Sequence, residues 1–135
     1  VSLITRFLET KVGERMALAQ EKGMLYREKP FVMGFTGEEL RRFGFAEADQ
    51  KKPMAEGNLT LIQGIIDVFW MEEDGITLLD YKTDRVQHAS ELKVRYEAQL
   101  KLYEEAVNRV YRGTGQKVKE LLLYSFRLGE FVQIK

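Results

Sequence analysis

The stretch IIDVFWMEEDGITLLDYKTD, from Ile65 to Asp84, decides how this chain folds. Two apolar segments, IIDVFWM and ITLLDYK, flank Asp74-Gly75, a strong short-range hairpin signal. Each segment carries an acid where a buried strand would carry a hydrophobe. Asp67 lies in the first and Asp80 in the second, with Lys82 two residues further on. Side chains alternate along a strand, so Asp80 and Lys82 share one face. If Asp74-Gly75 is itself a two-residue turn, Glu73 pairs with Ile76 and Asp67 faces Lys82. If the loop runs from Glu72 to Gly75, Asp67 faces Asp80. Both registers put Asp67, Asp80 and Lys82 on the same face, because only an odd slip would separate them. Gln63, four residues before Asp67, is expected there too.

A half-buried sheet face with two carboxylates needs positive charge, because burying an unpaired carboxylate is costly and adjacent ones repel. Lys82 neutralises one; a divalent cation neutralises both. Mg²⁺ prefers oxygen ligands, keeps several waters and is commonly held by one or two carboxylates plus substrate phosphate. Lys82 is then left to meet phosphate or water, an arrangement suited to phosphodiester hydrolysis. An ordinary solvated ion network has the same spacing. The neighbours Ile65, Ile66, Val68, Phe69, Leu78 and Leu79 argue against it, since solvated faces are seldom so apolar.

The 135 residues are enough for one domain with a real core. A hydrophobic content of 44% with 31% charged residues excludes a disordered chain. Lys+Arg and Asp+Glu both number 21, so polyanion binding must come from a local patch and not from overall charge. Cysteine is absent, which removes disulfides, thiolate zinc sites, iron–sulfur clusters and cysteine nucleophiles. No apolar run approaches the ~20 residues of a membrane span, and a cytoplasmic protein is expected. The chain begins at Val1 without an initiator Met and reads as a C-terminal fragment of something longer.

Outside the hairpin, apolar spacing predicts a helix from Ser2 to about Lys22, weakened at Gly13. Met24 to Phe35 has strand character, with Pro30 marking an edge or irregularity. Thr36 and Glu39 form a capping-box pattern ahead of Leu40 and Phe43. Ala48 to Asn58 is a polar loop. Strands are expected at about Leu59 to Met71 and Ile76 to Thr83. A long helix from Ser90, its cap, to Gly113 follows. Leu92, Tyr96, Leu100, Tyr103, Val107, Val110 and Tyr111 mark its apolar face. Val118 to Leu128 and Glu130 to Ile134 finish as strands around Gly129. The long helix allows a parallel crossover. The expected fold is α/β, a mixed sheet with a helix packed on each side.

These motifs resemble the RecB-like nucleases of the PD-(D/E)XK superfamily, in particular AddA-type nuclease domains of bacterial AddAB helicase–nucleases. QGIIDVFW is similar to that family's G-x-x-D strand, LLDYKTDRV to its D-x-K motif, RYEAQLKLYEEAV to its Q-x-x-x-Y helix and YREKPF to its first strand. The resemblance covers most of the chain. It implies a restriction-endonuclease-like core in the order α-β-β-β-α-β, with Mg²⁺ or Mn²⁺ held by Asp67, Asp80 and Tyr81. It implies catalytic roles for Asp67, Asp80, Lys82, Gln99 and Tyr103, Lys82 being the catalytic lysine. It further implies single-stranded DNA as substrate, a helicase portion on the same polypeptide, an AddB-like partner protein, and a place in double-strand-break repair and recombination. The family usually carries a histidine on a helix upstream of the first strand. His88, the one histidine here, follows the D-x-K strand and does not match, as expected if the chain starts downstream of that helix.

The other candidates have plainer readings. Gln99 and Tyr103 also suit a buried helical stripe. Glu28, between Arg27 and Lys29, suits an exposed edge. Thr83 and Asp84 suit a strand end, with Thr83 a candidate phosphate contact. Lys51, Lys52, Arg85, Lys93 and Arg95 suit either a DNA-tracking patch or a solvated surface, and Trp70 suits the core. The competing functions are a non-catalytic nuclease-fold module that binds DNA or partner proteins, and a stand-alone exonuclease.

Overall fold

The computed structural model describes residues 10–45 and 59–135. Among the described residues the first element is helix α1 (Lys11–Glu21), followed by strand β1 (Leu25–Phe35) and helix α2 (Gly37–Phe43). Strands β2 (Thr60–Glu72) and β3 (Gly75–Lys82) form the hairpin. Helix α3 (Ala89–Val110) leads to β4 (Val118–Ser125) and β5 (Glu130–Gln133). The sheet order is β1-β2-β3-β4-β5, antiparallel throughout except for the parallel pair β3 and β4. The α3 crossover joins that pair, as the sequence predicts.

The hairpin takes the second of the two registers. Met71 pairs with Ile76 and Glu72 with Gly75. Gly75 sits at φ +147°, and a Cβ there would lie 2.8 Å from the Lys117 carbonyl oxygen, so the tight entry into β3 requires glycine. The Thr36 capping box forms in full: Glu39 N–H donates to Thr36 Oγ1 at 3.0 Å, and Thr36 N–H donates to Glu39 Oε1 at 2.9 Å. Two helix starts differ from expectation. Thr10 is extended (φ −79°, ψ 162°) and caps α1, so no continuous helix runs through it. The rest of the expected Ser2–Lys22 helix and the Ala48–Asn58 loop lie outside the described residues. The long helix begins at Ala89, not at a Ser90 cap. There Glu91 accepts from the Gln87 and His88 N–H groups, placing a carboxylate where the helix dipole favours one.

The sheet is covered on both faces. Residues of α2 and α3 pack with Phe35, Ile66, Phe69, Leu78 and Leu123 on one. Met16 and Ala19 of α1 pack with Val68, Trp70, Leu79, Leu122 and Tyr124 on the other. The strand alternation slips once. Ile66 and Phe69, three residues apart, both face α3, whereas Val68 and Trp70 face α1. The slip falls at Asp67. Its position opposite on β1 is Glu28, a non-glycine residue at φ +50°, and the paired ladder skips both residues. An L-residue held there stores about 1–3 kcal/mol of strain. The slip turns Gln63 away: Ile62 and Gly64 face α3, and Gln63 between them is exposed on the opposite side. Ile65 is exposed for the same reason, correcting its expected burial.

α1 is tied to the far end of the hairpin by charge. Arg15 Nη2 donates to Glu72 Oε1 at 2.6 Å, to Glu120 Oε1 at 2.7 Å and to Thr77 Oγ1 at 3.1 Å, and its Nε donates to Glu72 Oε2 at 2.8 Å. The Arg15 hydrogen bonds hold the Glu72 carboxyl far below its usual range, against the effect of its own burial. Because the folded state lowers this pKa, its stabilisation is present above the ordinary glutamate range and is lost as pH falls below about 4. Arg15→Ala is expected to destabilise the domain by about 1–2 kcal/mol at pH 7, discounted for partial exposure. The measurement is thermal unfolding at pH 7 and pH 3, and the difference between variant and wild type should shrink at the lower pH.

Candidate active site

The site lies where β2 and β3 part. Their ladder ends at Val68 and Leu79. Beyond it the Asp67 carboxylate fills the opening, Oδ2 accepting the Tyr81 N–H at 2.9 Å. Tyr81 borders the site through its backbone, because its ring stacks on Phe126 at 5.6 Å among the side chains facing α1.

Asp80, on the α3 side of β3, is 4% exposed. Burial is the main force pushing its carboxyl up, to about 6; Lys82 opposes this and the neighbouring Asp67 carboxyl adds to it. The Lys82 ammonium is 2.7 Å from Asp80 Oδ2. This ion pair is the contact that the buried Oδ2 makes, and it offsets part of the cost of burying the carboxylate.

Helix α3 supplies the rest. Lys82 Nζ donates to Gln99 Oε1 at 3.1 Å and lies 3.8 Å from the centre of the Tyr96 ring. The Tyr96 hydroxyl donates to Asp84 Oδ2 at 2.7 Å, and Arg95 Nη1 donates to the same oxygen at 3.0 Å. The Tyr103 hydroxyl is pushed up to about 12, by burial first and then by Asp80 and Asp67, so it is a protonated donor at neutral pH. Its ring meets Phe31 edge-on at 5.6 Å. Gly64 leaves room for this contact: a Cβ there would come within 2.7 Å of the Phe31 ring and 3.3 Å of Tyr103.

The structure thus gathers Asp67, Asp80, Lys82, Gln99 and Tyr103 at one notch, with Tyr81 present through its backbone. It does not gather the others. His88 is an exposed residue preceding α3, and Thr83 and Glu28 are exposed. Arg95 is engaged with Asp84, while Arg85 and Lys93 remain on the surface. Lys51 and Lys52 lie outside the described residues. Among the described residues no group of three or more His, Cys, Asp and Glu side chains could hold a metal. Two adjacent carboxylates, one of them buried, still fit a cation that keeps most of its waters. Sequence reading placed Tyr96 on the apolar stripe and Asp84 at a strand end, missing their contacts with the site. The signal was present in the spacing: Tyr96, Gln99 and Tyr103 follow one another at three- and four-residue steps.

The PD-(D/E)XK nuclease superfamily model matches residues 6–132. An ATP-dependent helicase/nuclease subunit of Lachnoclostridium phytofermentans is 37% identical over 98% of this chain, which covers 11% of that protein. The protein of the same name from Clostridium botulinum strain Loch Maree is 40% identical over 97% of the chain, which covers 9% of it. The chain therefore spans only a small part of the curated relatives it matches. Its strand order, the notch on its central hairpin and these similarities agree: the chain belongs to the PD-(D/E)XK nuclease superfamily.

Proposed function

We propose that this domain is the nuclease portion of an ATP-dependent helicase/nuclease and hydrolyses phosphodiester bonds of single-stranded DNA. The observation that carries this reading is the convergence of Asp67, Asp80 and Lys82 in one notch, with Asp80 buried beside the Asp67 carboxyl. Asp67, Asp80 and the backbone at Tyr81 would hold Mg²⁺ or Mn²⁺. When bound, such a cation supplies Lewis acidity toward water and phosphoryl oxygen.

The remaining chemistry belongs to the chain. Lys82 offers positive charge beside the carboxylates, suited to negative charge that develops on phosphate in the transition state. Gln99 accepts one of its N–H bonds and so fixes where the ammonium points. Tyr103 keeps its proton and can donate a hydrogen bond to a phosphate oxygen. Asp67 is held by the Tyr81 N–H, which binds one of its two carboxylate oxygens. The relatives' names support a helicase portion, and the resemblance of the motifs supports a DNA substrate and an AddB-like partner. Retention of all three charged residues favours catalysis over a module that only binds.

Metal binding has a pH signature. The folded state raises the Asp80 pKa to about 6, so the group favours folding when protonated. That contribution is full below about 4, the unfolded value, and is lost as pH rises through about 6. Without metal, stability should therefore fall across that window on Asp80's account. Mg²⁺ or Mn²⁺ should raise the melting temperature more at pH 7.5 than at pH 5, since it binds the ionised form. Asp80→Asn should flatten the pH trend and remove most of the metal increment. Equal increments in variant and wild type would place the metal elsewhere.

Activity is tested on the longest polypeptide that carries this chain. Lys82→Ala should bind single-stranded DNA within about threefold of wild type yet cut it about 10²- to 10³-fold more slowly. Asp80→Ala, purified in parallel, sets the background from contaminating nuclease. A wild type that binds DNA and cuts no faster than that background would leave the non-catalytic module as the better account.

A further inference from the structure

Lys82 is held on three sides. Asp80 Oδ2 lies 2.7 Å from its nitrogen, Gln99 Oε1 3.1 Å and the centre of the Tyr96 ring 3.8 Å. The first two belong to the notch already described. The third is a neutral aromatic face. We propose that Tyr96 is a positioning residue for Lys82, its ring holding the ammonium by cation–π attraction without neutralising it; this rests on Lys82 acting in the nuclease reaction proposed above.

The chemistry of the alternatives supports the assignment. A lysine ammonium is a compact charge on a flexible four-carbon stem. Held by Asp80 and Gln99 alone, it would have no contact on its remaining side and could swing with its stem. A further acid in place of Tyr96 would hold it and cancel it. An aliphatic side chain would leave it unheld on that side. A ring face attracts the cation through its quadrupole and brings no net charge.

The ring is itself held at both ends. Its backbone lies in α3, and its hydroxyl donates to Asp84 at 2.7 Å. Asp84 is two residues beyond Lys82 and is bound again by Arg95 at 3.0 Å. Tyr96 therefore links the end of β3 to the start of α3, with Lys82 under its ring and Asp84 at its tip. A ring that served only as packing would not need its hydroxyl tied to the segment that carries the lysine.

The test replaces Tyr96 in the longest polypeptide that carries this chain. It uses Tyr96→Phe, Tyr96→Leu and a series of phenylalanines with increasing fluorine substitution. The fluorinated rings keep nearly the same volume while weakening the quadrupole, so they remain informative even if Tyr96→Leu fails to fold. One readout is the NMR ring-current shift of the Lys82 ε-methylene protons. It should be upfield of the other lysines in wild type, persist in Tyr96→Phe and vanish in Tyr96→Leu. The second is steady-state cleavage of a single-stranded oligonucleotide with Mn²⁺. Relative to wild type, kcat should fall about threefold in Tyr96→Phe, which loses the Asp84 anchor, and about tenfold or more in Tyr96→Leu. It should decline stepwise along the fluorine series, with KM changing less than about twofold. A flat kcat along that series in a wild type that cuts would overturn the role of Tyr96 and leave the nuclease reading standing. An absent ring-current shift would do the same. A wild type that cuts no faster than Asp80→Ala would overturn the nuclease reading, and the role of Tyr96 with it.

Discussion

A carboxylate buried in the middle of a sheet is the constraint on which the rest of this structure depends. Asp80 sits between Leu79 and Tyr81 on a strand whose other residues from Ile76 to Leu79 are fully buried. Water cannot solvate its charge, and the adjacent Asp67 makes ionisation harder still. What offsets this is one ammonium, and that ammonium is shared with an amide and a ring on the helix that follows the strand. The site is thus an incompletely compensated charge, kept in place by elements stable for other reasons. A metal or a phosphate group would find its partners already desolvated.

The two faces of the sheet divide that work. On the α1 side Arg15 meets Glu72, Glu120 and Thr77, and Lys119 adds to Glu72. This cluster is closed and reads as a fastening. A comparable clamp joins α2 to α3, where Arg109 donates to Glu39 and to the Gly34 carbonyl, each at 2.6 Å. On the α3 side, at the notch, two carboxylates lie beside one ammonium, which also meets Gln99 and the Tyr96 ring.

Much of this is legible in the sequence. Period-two alternation and the Asp-Gly turn locate the hairpin, and parity alone sets Asp67, Asp80 and Lys82 on one face in either register. The capping box at Thr36 is a local pattern and appears as read. What escapes are features that depend on two distant segments at once. The slip at Asp67 arises opposite Glu28, and nothing in either segment alone announces it; Gln63 and Ile65 are misplaced for that reason. The hairpin register, with Met71 opposite Ile76, is one of two that the local sequence leaves open. Tyr96 reads as a hydrophobe because its spacing suits an apolar stripe. Its neighbours across the fold, Lys82 and Asp84, give it another role.

The kink at Glu28 also bears on how the molecule keeps to itself. β1 is an eleven-residue edge strand, long enough to template a strand from another copy. Its centre is poorly made for that purpose. Glu28 bends the backbone out of the extended form, and Pro30 has no N–H to offer. Arg27, Glu28 and Lys29 crowd the same stretch with exposed charge. The irregularity that opens the sheet beside Asp67 therefore also divides its longest exposed edge into two short pieces, each a weak platform for intermolecular β-pairing and hence for aggregation.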